Sequence, residues 1–292
     1  MANPFQNGSY NDKEDSELLD AAIAGDKSSL DALIKKHQPF IYNVAWRMVT
    51  NPDDAWDITQ EVLIKMITNL AKFKRQSTFR TWLYRIVVNH FLAMKKRGNE
   101  RVVDSFAAFS LGLDSVPDQE FDSTELKEKE QFVEEMKVRC TTGMLVCLSR
   151  DQRLAYILGE VFDADHNIGA TIMDISPNNF RVKLSRARKD LNSFINDKCG
   201  LINKANPCRC RKKTQFALDN GFITPGKLKF NLPYQQKVKE LIEPISHRFE
   251  EFIEDKYREI YHGHPFNDTK DKGAFLEKIL EDPEMKAVLR QF

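Results

Sequence analysis

Phe79, Trp82, Leu83, Ile86, Val87, His90 and Met94 recur at three- and four-residue spacing, the period of one buried face of an α-helix. A loop reading Phe-Lys-Arg-Gln-Ser-Thr, residues 73–78, leads into that helix. Across residues 71–101 nine Lys and Arg stand against one acid, Glu100, a local charge of +8. Cations hold phosphates, and rings stack on unpaired bases, so a basic, aromatic-laced loop opening a buried-face helix suits nucleic acid. A solvated amphipathic helix carries the same charge, so charge alone leaves both readings open.

The rest of the chain is helical in the same way. Gly and Pro are sparse and period-two alternation is nearly absent, so the expected fold is all-α. A short helix precedes Gly25-Asp26. A long one follows, with Leu30, Leu33, Ile34, His37, Phe40, Ile41, Val44, Ala45 and Met48 on one face and Pro39 where a kink is expected. Asn51-Pro52-Asp53-Asp54 starts a third helix. The expected organisation is a disordered N-terminus, 1–14; a helical module, 15–101; a flexible linker, 102–124; a second helical module, 125–198; and a cysteine-containing, helical extension, 199–292.

The chain's 292 residues carry a net charge of +1, but charge is segregated. Residues 114–135 hold nine acids and two lysines, and residues 176–213 hold eleven bases and two acids. Two basic blocks around an acidic one suggest two nucleic-acid contacts and a connector that avoids it. No apolar run approaches a membrane span and no secretory signal is visible, so the expected location is cytoplasmic. No phosphate loop, nucleotide-binding glycine pattern, nucleophile elbow or zinc-protease motif occurs, which speaks against an enzyme.

The string STFRTWLYRIVVN, residues 77–89, behind its Phe-Lys-Arg loop, resembles region 2 of bacterial sigma factors of the extracytoplasmic-function group. The resemblance implies that this loop and helix capture and melt the −10 promoter element, with Lys74, Arg75, Gln76, Ser77 and Thr78 receiving a base flipped from the non-template strand. Arg80, Trp82, Arg85, Asn89, Lys95, Lys96 and Arg97 complete the −10 contacts. One of Phe79 and Trp82 is expected in the core. DITQEV, residues 57–62, resembles the edge that docks on the β′ clamp helices of core RNA polymerase. This implies polymerase binding by Asp57, Gln60 and Glu61, with Asp54 and Lys65 beside them.

Residues 167–191 read as a helix-turn-helix, with Ser176 as N-cap and Pro177 at the first helical position. Phe180, Leu184, Ala187 and Leu191 seat the second helix. Its string ISPNNFRVKLSRARKDL resembles the recognition helix of sigma region 4, which implies −35 binding by Ser176, Asn178, Asn179, Arg181, Val182, Lys183, Ser185, Arg186 and Arg188. The departures, Ser149 for a common Pro, Asn-Ile-Gly-Ala at 167–170 and Asn178-Asn179 for a frequent Gly-Thr, bear on promoter sequence. The partners implied are core polymerase through the β′ clamp helices and β flap, promoter DNA, and potentially an anti-sigma factor. The runner-up function is a helix-turn-helix regulator acting without polymerase. A third reading is a helical interaction protein that binds no nucleic acid.

Cys199, Cys208 and Cys210 lie in CGLINKANPCRCRKK. Three thiolates among bases suit zinc, with Cys140, Cys147 or a histidine as fourth ligand. However, their spacing is not the usual C-x2–4-C, and ordinary reduced thiols are at least as good a reading. No cofactor is therefore expected.

Overall fold

The computed structural model describes residues 3–5, 10–96, 100, 103, 105–225 and 261. Among them the regular elements are helices: α1 (Asp12–Ile23), α2 (Lys27–Val49), α3 (Pro52–Asn69) with a 3-10 turn at Leu70–Lys72, α4 (Phe79–Ala93), α5 (Phe106–Ser115), α6 (Ser123–Leu145), α7 (Arg150–Tyr156) running into a π-turn at Ile157–Val161, α8 (His166–Met173), α9 (Pro177–Lys198) and α10 (Cys210–Asp219). They fall into two compact units. Among the described residues, the first takes those within 1–95 and 157–182; the second takes those within 96–156 and 183–225, with Tyr261. The sequence assigns 157–182 to the second module, and the packing puts it with the first.

In the first unit local chemistry starts each helix. Asp26 accepts from the Ser28 and Ser29 amides, both at 3.1 Å, and Asn51 accepts from those of Asp53 and Asp54 ahead of Pro52. Thr78 caps α4 by accepting from Thr81 N at 3.3 Å. Each such cap is worth about 1 kcal/mol. Thr50, at φ 56°, ends α2 in the left-handed region. The helix continues unbroken through Pro39. Ile41, Val44, Ala45 and Val49 of α2, Ile58, Val62 and Met66 of α3, and Leu83, Val87 and Phe91 of α4 are all buried.

One polar cluster inside this unit is closely paired. Tyr10 donates to Asp15 at 2.6 Å, and its hydroxyl lies 3.0 Å from His37 Nε2. Tyr84 and Lys36 complete the cluster at 3.3 and 2.8 Å. Burial alone would raise the Asp15 carboxyl, but bonds from His37, Lys36 and Tyr10 together outweigh it and hold it below the usual carboxylate range.

Two expectations fail here. The N-terminal 14 residues are not uniformly disordered: Phe5 is fully buried, 4.5 Å from Tyr84 and 4.9 Å from Phe162 by ring centroids, and Asn11 caps α1. One phenylalanine at the right place anchors a segment whose polar composition reads as mobile. The linker, 102–124, is not a plain tether either. It contains α5, whose Phe106 and Phe109 stack on Phe194 of the second unit at 5.0 and 5.8 Å. Its acids are paired as well: Asp114 with Lys198 at 3.0 Å, Asp118 with Lys213 at 2.8 Å and Glu120 with Lys212 at 2.6 Å. Of the extension expected to be helical, residues 226–292 lie outside the described residues, apart from Tyr261. That residue is buried in the second unit against Tyr156.

Candidate polymerase and nucleic-acid interface

The candidate edge residues lie on α3. Asp57 and Lys65 are exposed, and Asp54, Gln60 and Glu61 are half-buried. Three- and four-residue spacing puts the carboxylates on one line of the helix. Asp54 also sits in the first turn, where the amide ends favour negative charge. Lys65 is exposed, and its Nζ reaches across to lie 2.7 Å from His90 Nδ1 of α4. Glu61 approaches the other side of the same ring, at 3.3 Å from Nε2.

His90 reads in the sequence as one more member of the apolar face. In the structure it is the buried end of a groove of about 460 Å³ between α3 and α4, lined by Lys65, Asn69, Lys72, Trp82, Ile86, Asn89 and His90. Lys65, Asn69 and Lys72 stand at four- and three-residue spacing. Trp82, Ile86 and Asn89 repeat that spacing on the facing helix, and the two stripes make the walls. Asn69, Lys72, Ile86 and His90 are absent from the sequence candidates. The matched spacing was the available signal, but only packing pairs the two stripes.

Of Phe79 and Trp82, Phe79 is the core residue, 2% exposed, and Trp82 is half-buried beside it. Phe73, on the loop, lies 5.2 Å from the Trp82 ring and steadies it. Lys74, Arg75, Gln76 and Thr78 are exposed and Ser77 is half-buried. Arg75 has φ 56° and pairs with Asp20, which pins the loop's apex to α1. Thr78 uses its hydroxyl oxygen in capping α4.

Two arginines assigned to −10 DNA have protein partners. Arg80 is 8% exposed, bonded to Asp12 at 2.9 Å and the Pro4 carbonyl at 2.9 Å, with the Tyr10 ring 5.2 Å away. It holds the N-terminal arm and is withdrawn from the DNA set. Arg85, half-buried, donates to the Thr171 carbonyl at 2.7 Å. Asn89, Lys95 and Lys96 are exposed, as a phosphate-binding rim requires. Arg97 lies outside the described residues.

The helix-turn-helix forms with the expected turn. Asp174 occupies the left-handed region at φ 55°, and Ser176 accepts from Asn179 N at 3.2 Å. Gly169 is required for the approach of the two helices: a Cβ there would fall 2.3 Å from the Phe180 ring. Ser176, Asn178, Asn179, Arg181, Val182, Ser185 and Arg186 are exposed, whereas Arg188 is half-buried. Lys183 is a correction, since it folds back to pair with Asp151 of α7.

The five cysteines are free thiols. Cys199 and Cys208 face each other in an isolated β-bridge, with Gly200 N donating to the Cys208 carbonyl at 3.2 Å. Burial pushes the Cys140 and Cys210 thiols up, and their cysteine neighbours add to it. No group of His, Cys, Asp and Glu among the described residues is arranged to hold a metal ion. No helix among them is long and apolar enough to cross a membrane.

A sigma-70 region 2 family model matches residues 33–101, which span most of α2, all of α3, the basic loop and α4. The RNA polymerase sigma-H factor of Pseudomonas aeruginosa is 29% identical over 189 residues, covering 63% of this chain and 94% of the relative. The ECF RNA polymerase sigma-E factor of Escherichia coli K12 is 27% identical over 186 residues, covering 62% and 94%. The ECF RNA polymerase sigma factor SigE of Mycolicibacterium smegmatis is 26% identical over 176 residues, covering 59% of this chain and 64% of the relative. The family match coincides with the helices that build the acidic edge, the basic loop and the groove, and the chain is similar over about three fifths of its length to RNA polymerase sigma factors, several of them of the ECF group.

Proposed function

We propose that this chain is a sigma factor that directs promoter-specific transcription initiation by RNA polymerase, acting in the cytoplasm and catalysing no reaction itself. The observation that carries this is the coincidence of the family match with α3 and α4, which present a carboxylate edge and a basic, Trp-lined groove side by side. Asp57, Gln60 and Glu61, with Asp54 beside them, dock on the β′ clamp helices, where acids on one line meet a basic helix. Region 4 engages the β flap, and the same surfaces are open to an anti-sigma factor.

At the −10 element the loop at 74–78 receives an extruded base. Unstacking costs a few kcal/mol, which stacking and edge hydrogen bonds offset. In the groove Trp82 offers a ring, Asn69 and Asn89 offer amides, and Lys72 with Lys95 and Lys96 holds the strand's phosphates. At the −35 element Asn178, Asn179, Arg181 and Ser185 read base edges from the start of α9, with Arg186 and Arg188 beside them. No resident cofactor is assigned.

The test is run-off transcription with purified core polymerase and a pool of genomic promoter fragments. Discrete transcripts that require both the chain and the core support the reading. Sequence-specific duplex binding by the chain without any core-dependent transcript would replace it with a conventional helix-turn-helix regulator.

A further inference from the structure

Cys199 and Cys208 meet across the loop that joins α9 to α10. They are partners in a parallel β-bridge, with Gly200 N donating to the Cys208 carbonyl at 3.2 Å, and both are free thiols. The loop between them is closely tied. Asn203 N donates to the Cys199 carbonyl at 3.0 Å, Asn206 Nδ2 to the Asn196 carbonyl at 2.7 Å, and Arg209 Nη2 to the Lys204 carbonyl at 2.7 Å. Gly200 admits the close approach, since a Cβ there would collide with the Cys208 carbonyl oxygen and the Arg209 guanidinium. Bridge partners point their side chains to the same face, at a strand spacing of about 4.7–4.9 Å. That spacing falls inside the Cα separation of roughly 4.4–6.8 Å that a disulfide crosses. Cys199 is 8% exposed and Cys208 is half-buried.

The same two cysteines flank the bases that grip the acidic linker. Lys198, beside Cys199, pairs with Asp114 at 3.0 Å. Lys212 and Lys213, about one turn beyond Cys208, pair with Glu120 at 2.6 Å and Asp118 at 2.8 Å. Gln119 N donates to the Lys212 carbonyl at 3.0 Å. With the bridge held by hydrogen bonds, one grip can slacken without the other. A covalent bond across it keeps the loop closed in every conformation of the chain.

We propose that Cys199 and Cys208 form a reversible disulfide, a redox modification site that fastens the end of α9 to the approach to α10 and so holds the acidic linker on its unit. The oxidant is a low-molecular-weight disulfide. Cys208, the more exposed thiol, gives up its proton, and its thiolate attacks one sulfur of that disulfide. The small S–S bond breaks and one small thiolate leaves, taking up the proton. Cys199 then gives up its own proton and attacks the Cys208 sulfur, which expels the second small thiol. Two protein thiols are oxidised and one small disulfide is reduced to two thiols, so electrons and protons balance. Burial raises the Cys208 thiol and Cys199 adds to it, against the charges of Lys213 and Arg209. The exchange should therefore quicken as pH rises and the thiolate fraction grows. Disulfides of reducing compartments are usually transient in this way.

The experiment treats the reduced full-length chain with oxidised glutathione, blocks the remaining thiols with iodoacetamide, and maps tryptic peptides without reduction. Cleavage after Lys204 and Arg209 puts Cys199, Cys208 and Cys210 in separate peptides. The expected product joins residues 199–204 to residues 205–209 and disappears with dithiothreitol, while Cys140, Cys147 and Cys210 carry the blocking group. In the oxidised chain, hydrogen exchange at the Gln119 amide should slow by about tenfold, a usual size for coupling between two sites. Cys208→Ser should remove that response to oxidant. Mixed disulfides with glutathione alone, or pairing of Cys208 with Cys210, would overturn the assignment. Unchanged exchange at Gln119 in the cross-linked chain would overturn the hold on the linker.

Discussion

Glu100, the one acid in the +8 stretch, supports a prediction that can be worked through. Its carboxylate is 3% exposed. Arg150 donates to it through Nε at 3.1 Å and Nη2 at 2.8 Å, and Arg153 through Nη1 at 2.9 Å. Arg153, 2% exposed, also donates to the Val146 and Leu148 carbonyls at 2.9 and 3.0 Å, closing the turn between α6 and α7. Glu100→Ala would leave a buried guanidinium without its counter-charge. Breaking a buried pair in this way costs about 3–5 kcal/mol, a large part of a domain's stability of about 5–15 kcal/mol. With a urea slope of about 1–3 kcal/mol per molar, the midpoint of the second unit should fall by about 2 M. The chain's three tryptophans, Trp46, Trp56 and Trp82, all lie in the first unit. Tryptophan fluorescence therefore follows that unit, while circular dichroism follows both. The expected result is an early dichroism transition in Glu100→Ala with an unmoved fluorescence transition. Burial tends to raise the Glu100 carboxyl, but bonds from Arg150 and the charge of Arg153 together hold it below its ordinary value. Its contribution is thus present above the unfolded pKa and is lost as pH falls through the lower, folded one, so wild type and Glu100→Gln should converge in acid. A dichroism midpoint equal to wild type at neutral pH would refute the argument.

Gly169→Ala should destabilise the helix-turn-helix by about 1–3 kcal/mol through overpacking against Phe180, despite alanine's better helix propensity; a raised melting temperature would contradict this. Asp57→Lys with Glu61→Lys should weaken binding to core polymerase while leaving the dichroism spectrum unchanged, and equal affinity in a pull-down titration would remove the docking assignment. Arg181→Ala should relax −35 specificity by about 1–3 kcal/mol if the contact is bidentate. Replacing residues 76–78 should instead abolish permanganate-reactive thymines while closed complexes persist, and identical defects from the two changes would end the division of labour. Metal analysis of reductively purified chain should find no stoichiometric zinc, and zinc that disappears in a Cys208→Ser/Cys210→Ser variant would reverse that expectation.

Helix period placed the elements that position the site, and Asn51 and Ser176 were legible as starts because a short side-chain acceptor just before an apolar period has few other uses. Asp26 and Thr78 cap the helices that follow them as well, a use the sequence reading did not assign to them. The acidic edge was legible because its spacing is local to one helix. The arginines were not. Arg80 and Arg85 differ in position by five residues, but one is buried by Asp12 and Pro4 and the other is held by Thr171. Their partners lie far away in sequence, and no periodicity encodes them. The same is true of Phe5 and Phe162, single aromatics in polar stretches of sequence that meet each other and Phe40 only in the fold.

The charge segregation has a different meaning in the structure from the one its sequence suggests. Residues 114–120 read as a connector that avoids phosphate, and residues 198–213 as the end of a DNA-binding block. In the second unit they neutralise each other: Lys198, Lys212 and Lys213 are committed to Asp114, Glu120 and Asp118, and Gln119 N donates to the Lys212 carbonyl at 3.0 Å. Lys213 also reaches the Val116 carbonyl. Nearer the start of α9, Arg181 and Arg186 of the second block are exposed. A basic segment of the extension thus holds the acidic linker against its own unit. Any partner that recruits the linker's carboxylates must displace Lys212 and Lys213 first, and because these pairs are largely solvated, salt would assist that exchange.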